Sequence, residues 1–235
     1  MYQWPSIWVL SLFRRMVGMF GNAISTITLR MIGESRLVLD LYHNPRKGNG
    51  NVNDVPADLP VPVDDGACDH LPGKVLPPIP LRSTSGSAVV LADVPGRVIV
   101  YCYPRTGRPD QDPLPGWNQI PGARGCTPQS CAFRDRHAEL KALAVRVYGL
   151  STQVTDEQRE AVARLGLPFE LLSDAELAFT TALQLPTFAI ASMTFIRRLT
   201  LVAAGGRIEK MFYPVFPPDE NAGHVLEWLL SKEAV

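Results

Sequence analysis

The chain has 235 residues, with 23 basic and 23 acidic side chains in formal balance, and is 46% hydrophobic and 20% charged. That length fits one catalytic-size domain plus an extension better than two full domains, and the composition can fill a single core. With no basic bias to hold a phosphate backbone, nucleic acid is excluded as an expected partner. Four cysteines in a chain of this length exclude a disulfide-rich secreted scaffold and point to structural, metal-binding or catalytic thiols.

From Met1 to Gly33 there is no acidic residue, while Arg14, Arg15 and Arg30 are basic. The apolar runs Trp4 to Phe13 and Val17 to Leu29 are too short to span a bilayer, which takes about twenty apolar residues. Residues 1–54 therefore read as a poorly ordered extension and linker. An organelle-targeting peptide is the alternative, and membrane contact through an interfacial helix a third, less favoured reading. The cytoplasm is the compartment expected unless the segment targets an organelle. His43 to Asn51 is rich in turn formers, and prolines recur at 56, 60, 62, 72, 77, 78 and 80, which disfavours helix and central strand. The folded domain is expected over residues 55–235.

After Pro80 the pattern changes. Ala88 to Leu91 is a short strand candidate, and the β-branched and aromatic run Arg97 to Tyr103 reads as a buried central strand. Residues 104–125 form a long Pro/Gly loop, of a length that is often functional. Cys126 to Leu143, with apolar residues at 132, 133, 140 and 143, predicts an amphipathic helix. Ala144 to Leu150 predicts a second central strand. A helix follows over Thr155 to Leu165, with Thr155 as N-cap and Gln158 completing a capping box. Phe169 to Leu172 is a short strand, Asp174 to Leu183 a helix. Two strands, Arg198 to Ala203 and Arg207 to Tyr213, flank Gly205-Gly206 as a hairpin, and Asn221 to Leu230 closes the chain as a helix. Strands alternating with helices predict an α/β fold, a central mixed sheet flanked by helices in thioredoxin-like order.

The informative stretch is Gly125-Cys126-Thr127-Pro128-Gln129-Ser130-Cys131-Ala132-Phe133-Arg134-Asp135. Cys126 is expected in the first turn of a helix, where unpaired backbone N–H groups and the helix dipole favour a thiolate. Pro128 suits that turn because its missing donor is not needed there. Residues five apart in a helix lie about 8 Å apart, whereas a disulfide needs Cα atoms within about 7 Å. Cys126 and Cys131 therefore cannot bond while both remain helical, and any disulfide between them requires the first turn to unwind.

As a whole the stretch resembles the Gly-Cys-Thr-x-x-Ala-Cys-x-Phe-Arg-Asp signature of Q-type peroxiredoxins, the bacterioferritin-comigratory proteins of the alkyl hydroperoxide reductase/thiol-specific antioxidant superfamily. Val98 to Pro104, Gly149-Leu150-Ser151 and Leu171-Leu172-Ser173-Asp174 are similar to that family's flanking segments, so the resemblance covers roughly residues 60–232. It implies a thioredoxin fold and a thiol peroxidase without metal or organic cofactor. The implied substrate is hydrogen peroxide or an alkyl hydroperoxide, and the implied reductant is thioredoxin or a similar dithiol. Carried over by position, Cys126 is the expected peroxidatic cysteine, Cys131 the resolving cysteine, and Arg198 the arginine that holds the peroxide oxygens, with Arg197 as the competing assignment. The family usually has a hydroxyl three residues before its peroxidatic cysteine. Here that position is Ala123, and an insertion, Arg105 to Gly125, separates Pro104 from Cys126. Thr106, directly after Pro104-Arg105, is the hydroxyl expected to fold back.

Other readings stand beside this one. Cys102, inside an apolar strand, is expected to be core, and Cys68, beside Asp69 and His70, a loop residue. Cys126, Cys131 and His137 lack the second close pair of a zinc site. His137 is expected on a helix face, Arg134 and Asp135 as an ion pair, and Trp117 in loop packing or at a substrate entrance. A thioredoxin-like disulfide oxidoreductase would share the fold, but its usual Cys-x-x-Cys is absent. A redox sensor that oxidises once without turnover remains the other alternative.

Overall fold

The computed structural model describes residues 59–233 and, before them, the backbone of two short strands. The chain divides into two compact units, Met1–Gly50 and Asn51–Val235. In the first, β1 (Ile27–Met31) pairs antiparallel with β2 (Leu37–Leu41). The sequence reading assigns no strand there, although both segments are aliphatic and carry β-branched residues, which suits a strand pair. The targeting and interfacial readings of the apolar run Trp4 to Phe13 lie outside the described residues. Among the described residues no helix is long and apolar enough to cross a membrane.

The second unit is built on a seven-stranded sheet of order β11-β10-β5-β6-β7-β3-β4. Its strands are β3 (Pro80–Ser83), β4 (Ala88–Val90), β5 (Arg97–Cys102), β6 (Val145–Ser151), β7 (Glu170–Ser173), β10 (Leu199–Ala204) and β11 (Arg207–Phe212). β5, β6 and β7 run parallel, while β10 lies antiparallel on β5 and β3 antiparallel on β7. β5 is an interior strand with both faces buried, as its uninterrupted apolar run requires. Val98, Val100 and Cys102 face one core with Leu172, Leu201 and Phe179. Ile99, Tyr101 and Tyr103 face the other with Phe133, Leu171 and Val225. Strand alternation thus divides one sheet between two hydrophobic layers. The mixed, helix-flanked α/β architecture predicted from the sequence is the one observed.

The helices are α1 (Cys126–Asp135), α2 (His137–Ala142), α3 (Thr155–Leu165), α4 (Ala178–Leu183) and α5 (Asn221–Glu233). The single helix expected from Cys126 to Leu143 is broken at Arg136, whose φ of −95° and ψ of 1° leave the helical region. Phe133 and Leu140 still reach the same core on either side of the break. The capping box expected at Thr155 is not made. Val154 is the N-cap, with no side-chain cap, because Gln158 is buried and donates instead to Ser151 Oγ at 3.0 Å and Leu172 O at 2.7 Å. Asp174 lies before α4 rather than within it. Its carboxylate accepts from the backbone N–H groups of Phe179 and Thr180 at 3.0 and 2.8 Å, satisfying donors that the helix start leaves open.

In this second unit three strands escape the sequence pattern. β3 begins at Pro80, a position where a strand tolerates proline because no ladder donor is needed. β8 (Thr187–Ile190) and β9 (Met193–Ile196) form a separate antiparallel hairpin. The long loop before α1 packs on this hairpin. Trp117, inside a short 3₁₀ turn at Trp117–Gln119, meets Phe195 edge-on at 5.1 Å and Phe188 at 5.8 Å. Leu114, Ile120 and Ala123 join the same cluster. The loop therefore carries its own small core, and this core holds its end against the start of α1.

Candidate active site

Cys126 is the first residue of α1, and Gly125 caps that helix in the left-handed conformation at φ +98°. A Cβ at position 125 would meet Pro218 Cγ at 2.3 Å, so the entry angle of the helix demands glycine on two counts. The first helical bond runs from Gln129 N–H to Gly125 O at 3.0 Å. Pro128 falls among residues whose N–H would have no intrahelical partner, as its sequence position predicts. Cys126 is buried, 4% exposed, on the layer of Tyr101, Tyr103 and Phe133. Phe133 stacks on Tyr101 with ring centroids 4.6 Å apart, and Tyr101 donates to Ser130 Oγ at 3.2 Å. The sheet and α1 are thereby locked together one turn beyond the cysteine.

Arg198 enters from the loop between β9 and β10. Its Nη2 donates to Cys126 Sγ at 3.2 Å. The same nitrogen lies 3.2 Å from Gly122 O, 3.4 Å from Ala123 O and 2.9 Å from Arg124 O, so two N–H bonds are shared among four acceptors. Nη1 donates to Gln129 Oε1. Nε is buried and has no partner among the described residues. Arg198 is 3% exposed, and no carboxylate among the described residues pairs with it. The sulfur of Cys126 is within hydrogen-bond reach of this buried guanidinium, and it also lies 3.5 Å from Ala123 O.

Arg197 takes no part in this cradle. It is directed outward, donating from Nε to Thr187 O at 3.4 Å. Of the two adjacent arginines, the one carried over from the resemblance is the one beside the sulfur.

Behind Arg198 runs a polar relay that the sequence reading does not contain. Gln129 Nε2 donates to Asn221 Oδ1 at 3.0 Å, and Thr200 Oγ1 donates to the same oxygen at 2.7 Å. Gln129, Thr200 and Asn221 are all buried. The relay ties α1, β10 and the start of α5 to the guanidinium. The signal available in the sequence was the position of Gln129, one turn after Cys126 on the same helix face.

Cys131 is also in α1, 6% exposed, and the four cysteines are free thiols. Burial pushes its thiol above the usual range, partly opposed by the positive charge of Arg134. Thr106 is buried and its hydroxyl donates to Gln153 Oε1 at 3.0 Å, while its N–H donates to the same oxygen at 2.8 Å. Its neighbours Arg105 and Gly107 line a cleft of about 400 Å³ that also contains Cys126 and Trp117. Trp117 packs in the loop core, the favoured reading, and also lines this cleft.

The remaining candidates lie elsewhere. Cys102 is in β5, wholly buried, and Cys68 is in a turn yet wholly buried in the same core layer. Burial first, then the carboxylates of Asp65, Asp64 and Asp69, push the Cys68 thiol up to about 12. His137 packs against Phe169, ring centroids 5.8 Å apart. Arg134 pairs with Asp135 at 2.8 Å and also donates to Leu165 O at 2.8 Å.

Residues 71–226 match the family model described as Redoxin. Peroxiredoxin Q, chloroplastic, of Oryza sativa subsp. japonica is 29% identical over 160 residues, which cover 68% of this chain and 66% of the rice protein. The chain therefore spans just under two thirds of the rice relative's length. Peroxiredoxin Bcp of Escherichia coli is 31% identical over 162 residues, covering 67% of this chain and 94% of that protein. Among solved structures, a PrxQ mutant of Xylella fastidiosa superposes with a TM-score of 0.58 at 20% identity, covering 70% of this chain and 98% of the other. Peroxidoxin BcpB of Mycobacterium tuberculosis gives 0.56 at 21% identity, covering 69% and 98%.

Proposed function

The chain belongs to the redoxin family as a Q-type peroxiredoxin, and from that premise we propose that it reduces hydroperoxides with Cys126 as the nucleophile. The observation that carries this reading is the pairing of Cys126 Sγ with the buried, carboxylate-free guanidinium of Arg198 at 3.2 Å. In the proposed reaction the thiolate attacks one peroxide oxygen and the O–O bond breaks. The electron pair leaves on the other oxygen, which takes up a proton to give water or an alcohol. Sulfur is oxidised by two electrons to the sulfenic acid. The partnerless Nε of Arg198 and the Nη2 beside Sγ are donors available to the charge that develops on the breaking bond.

Cys131 is the proposed resolving thiol. Its thiolate displaces the sulfenic oxygen as water and closes a disulfide, which an external dithiol, proposed to be thioredoxin or a relative of it, reopens by exchange. Both cysteines sit in α1, so resolution requires the helix to unwind. The raised pKa of the buried, folded Cys131 thiol works in the same direction. The folded thiol holds its proton to higher pH than the unwound one, so this linkage leaves the helix undisturbed below the ordinary thiol range and favours unwinding as pH rises through it. Disulfide formation is therefore expected to accelerate towards alkaline pH. Peptide mapping after one equivalent of hydrogen peroxide is expected to find Cys126 joined to Cys131. Cys126 joined to Cys68 would refute it, and the burial of Cys68 in the opposite core layer argues against that product.

Thr106 is proposed to support the site through the loop that it closes on Gln153. Thr106→Val is expected to lower the rate of Cys126 oxidation about tenfold, the scale of one lost buried hydrogen bond. An unchanged rate removes Thr106 from the site. The chloroplast designation of the rice relatives favours the organellar reading of the acid-free N-terminal segment over the cytoplasmic one. Repeated turnover with a thioredoxin reducing system supports the peroxidase reading. A single oxidation without turnover supports the sensor, and reduction of protein disulfides without peroxide supports the oxidoreductase.

A further inference from the structure

The cleft over Cys126 is walled by the 105–125 insertion, and its charges are unevenly matched. Four arginines line it: Arg105, Arg108, Arg124 and Arg164. Three have carboxylate partners. Arg105 pairs with Glu157 at 3.5 Å, Arg108 with Asp110 at 3.1 Å and Arg164 with Glu160 at 2.7 Å. The guanidinium of Arg124 has no hydrogen bond or ion pair among the described residues, although its backbone carbonyl holds Arg198. Arg124 is only half-buried and stands two residues from Cys126. Asp112 is the one carboxylate in the lining; it is exposed and pairs with none of these arginines.

The same cleft has an apolar wall. Leu114 and the ring of Trp117 line it, and Trp117 is 7% exposed and pinned by Phe195 and Phe188. A pinned aromatic wall is preformed and needs no ordering when a ligand arrives. The volume of about 400 Å³ far exceeds what hydrogen peroxide requires and lies in the range of organic ligand sites.

Resting on the peroxidase reading above, we propose that this cleft selects organic hydroperoxides that carry a carboxylate, with Arg124 as the residue that receives it. The hydrocarbon part lies along Leu114 and Trp117, the carboxylate meets the planar guanidinium fork, and the peroxide end reaches Cys126. The chemistry at sulfur is unchanged. The O–O bond breaks, Cys126 becomes the sulfenic acid, and the alkoxide takes up a proton to leave as the hydroxy acid. A single unmatched cation, with Asp112 in the same lining, suits a monoanion rather than a phosphate ester.

The test uses cumene hydroperoxide bearing a para carboxylate and its methyl ester, which differ in charge but hardly in shape. For the full-length protein the acid is expected to oxidise Cys126 about tenfold faster than the ester, the scale of one charge-assisted contact. That ratio is expected to fall towards unity with added salt, because the contact is partly exposed. Arg124→Gln is expected to bring the ratio to about one, and Arg124→Lys to keep part of it. The ratio is internal to each variant, so a general loss of activity does not imitate the effect. Equal acid and ester rates in the wild type, or an unaltered ratio in R124Q, overturn the proposal. If hydrogen peroxide is consumed while acid and ester react alike, only the carboxylate inference falls. If hydrogen peroxide leaves Cys126 reduced, the peroxidase reading falls and takes this one with it.

Discussion

Cys126→Ser is expected to lower peroxide consumption by about a thousandfold or more, since a serine hydroxyl is not ionised near neutral pH and cannot replace a thiolate nucleophile. The substitution changes one atom in a site that is otherwise tightly specified. The left-handed Gly125, the aromatic stack of Tyr101 and Phe133 and the bond from Tyr101 to Ser130 remain. Loss of activity can therefore be separated from loss of fold. The measurement is hydrogen peroxide consumption with a thioredoxin reducing system, beside thermal unfolding of both proteins. A variant that unfolds within a few degrees of wild type but consumes no peroxide assigns the nucleophile. A variant that still turns over moves the chemistry to another cysteine, and because Cys68 and Cys102 are wholly buried, Cys131 becomes the candidate.

Arg198→Met is expected to slow Cys126 oxidation by about a hundredfold to a thousandfold, the range found when a preorganised donor is removed from a transition state. Two losses combine. Sγ loses its guanidinium partner at 3.2 Å, and the breaking O–O bond loses donors. Methionine keeps much of the volume but leaves Gln129 Oε1 and the carbonyls of Gly122, Ala123 and Arg124 without the guanidinium, so a stability loss of about 2–4 kcal/mol is also expected. Arg198→Lys distinguishes charge from geometry. A point charge cannot serve Sγ, Gln129 and three carbonyls together, so lysine is expected to fall between methionine and wild type. A rate for Arg198→Met within about threefold of wild type would contradict the role of the guanidinium.

Much of the fold was legible because its strongest signals are local. The unbroken apolar run of β5 implied burial on both faces, and the two core layers supply it. Gly205-Gly206 marked the β10–β11 turn, where both glycines have positive φ, at +54° and +74°. The misreadings share one cause. Gln158 looked like a capping residue from its spacing, but a bond to the carbonyl of Leu172 on β7 won over the local one. Arg136 breaks a helix whose apolar spacing continues past it. β8 and β9 are short strands whose partner in packing is a loop far away in sequence.

By itself, the sequence determined which thiol is at the start of a helix. A cysteine after glycine, with proline two residues on, marks a first turn by backbone chemistry alone. It also determined that Cys126 and Cys131 cannot join while helical, since helix geometry is the same in every protein. Only the tertiary structure decided which of two adjacent arginines faces the sulfur, because Arg197 and Arg198 differ by the direction of a side chain and not by type. It alone revealed Gln129, Thr200 and Asn221 as one relay and matched three arginines of the cleft with carboxylates, leaving Arg124 without one among the described residues. These are contacts between residues up to 92 positions apart, and no local preference specifies a contact made only when the whole sheet closes around it.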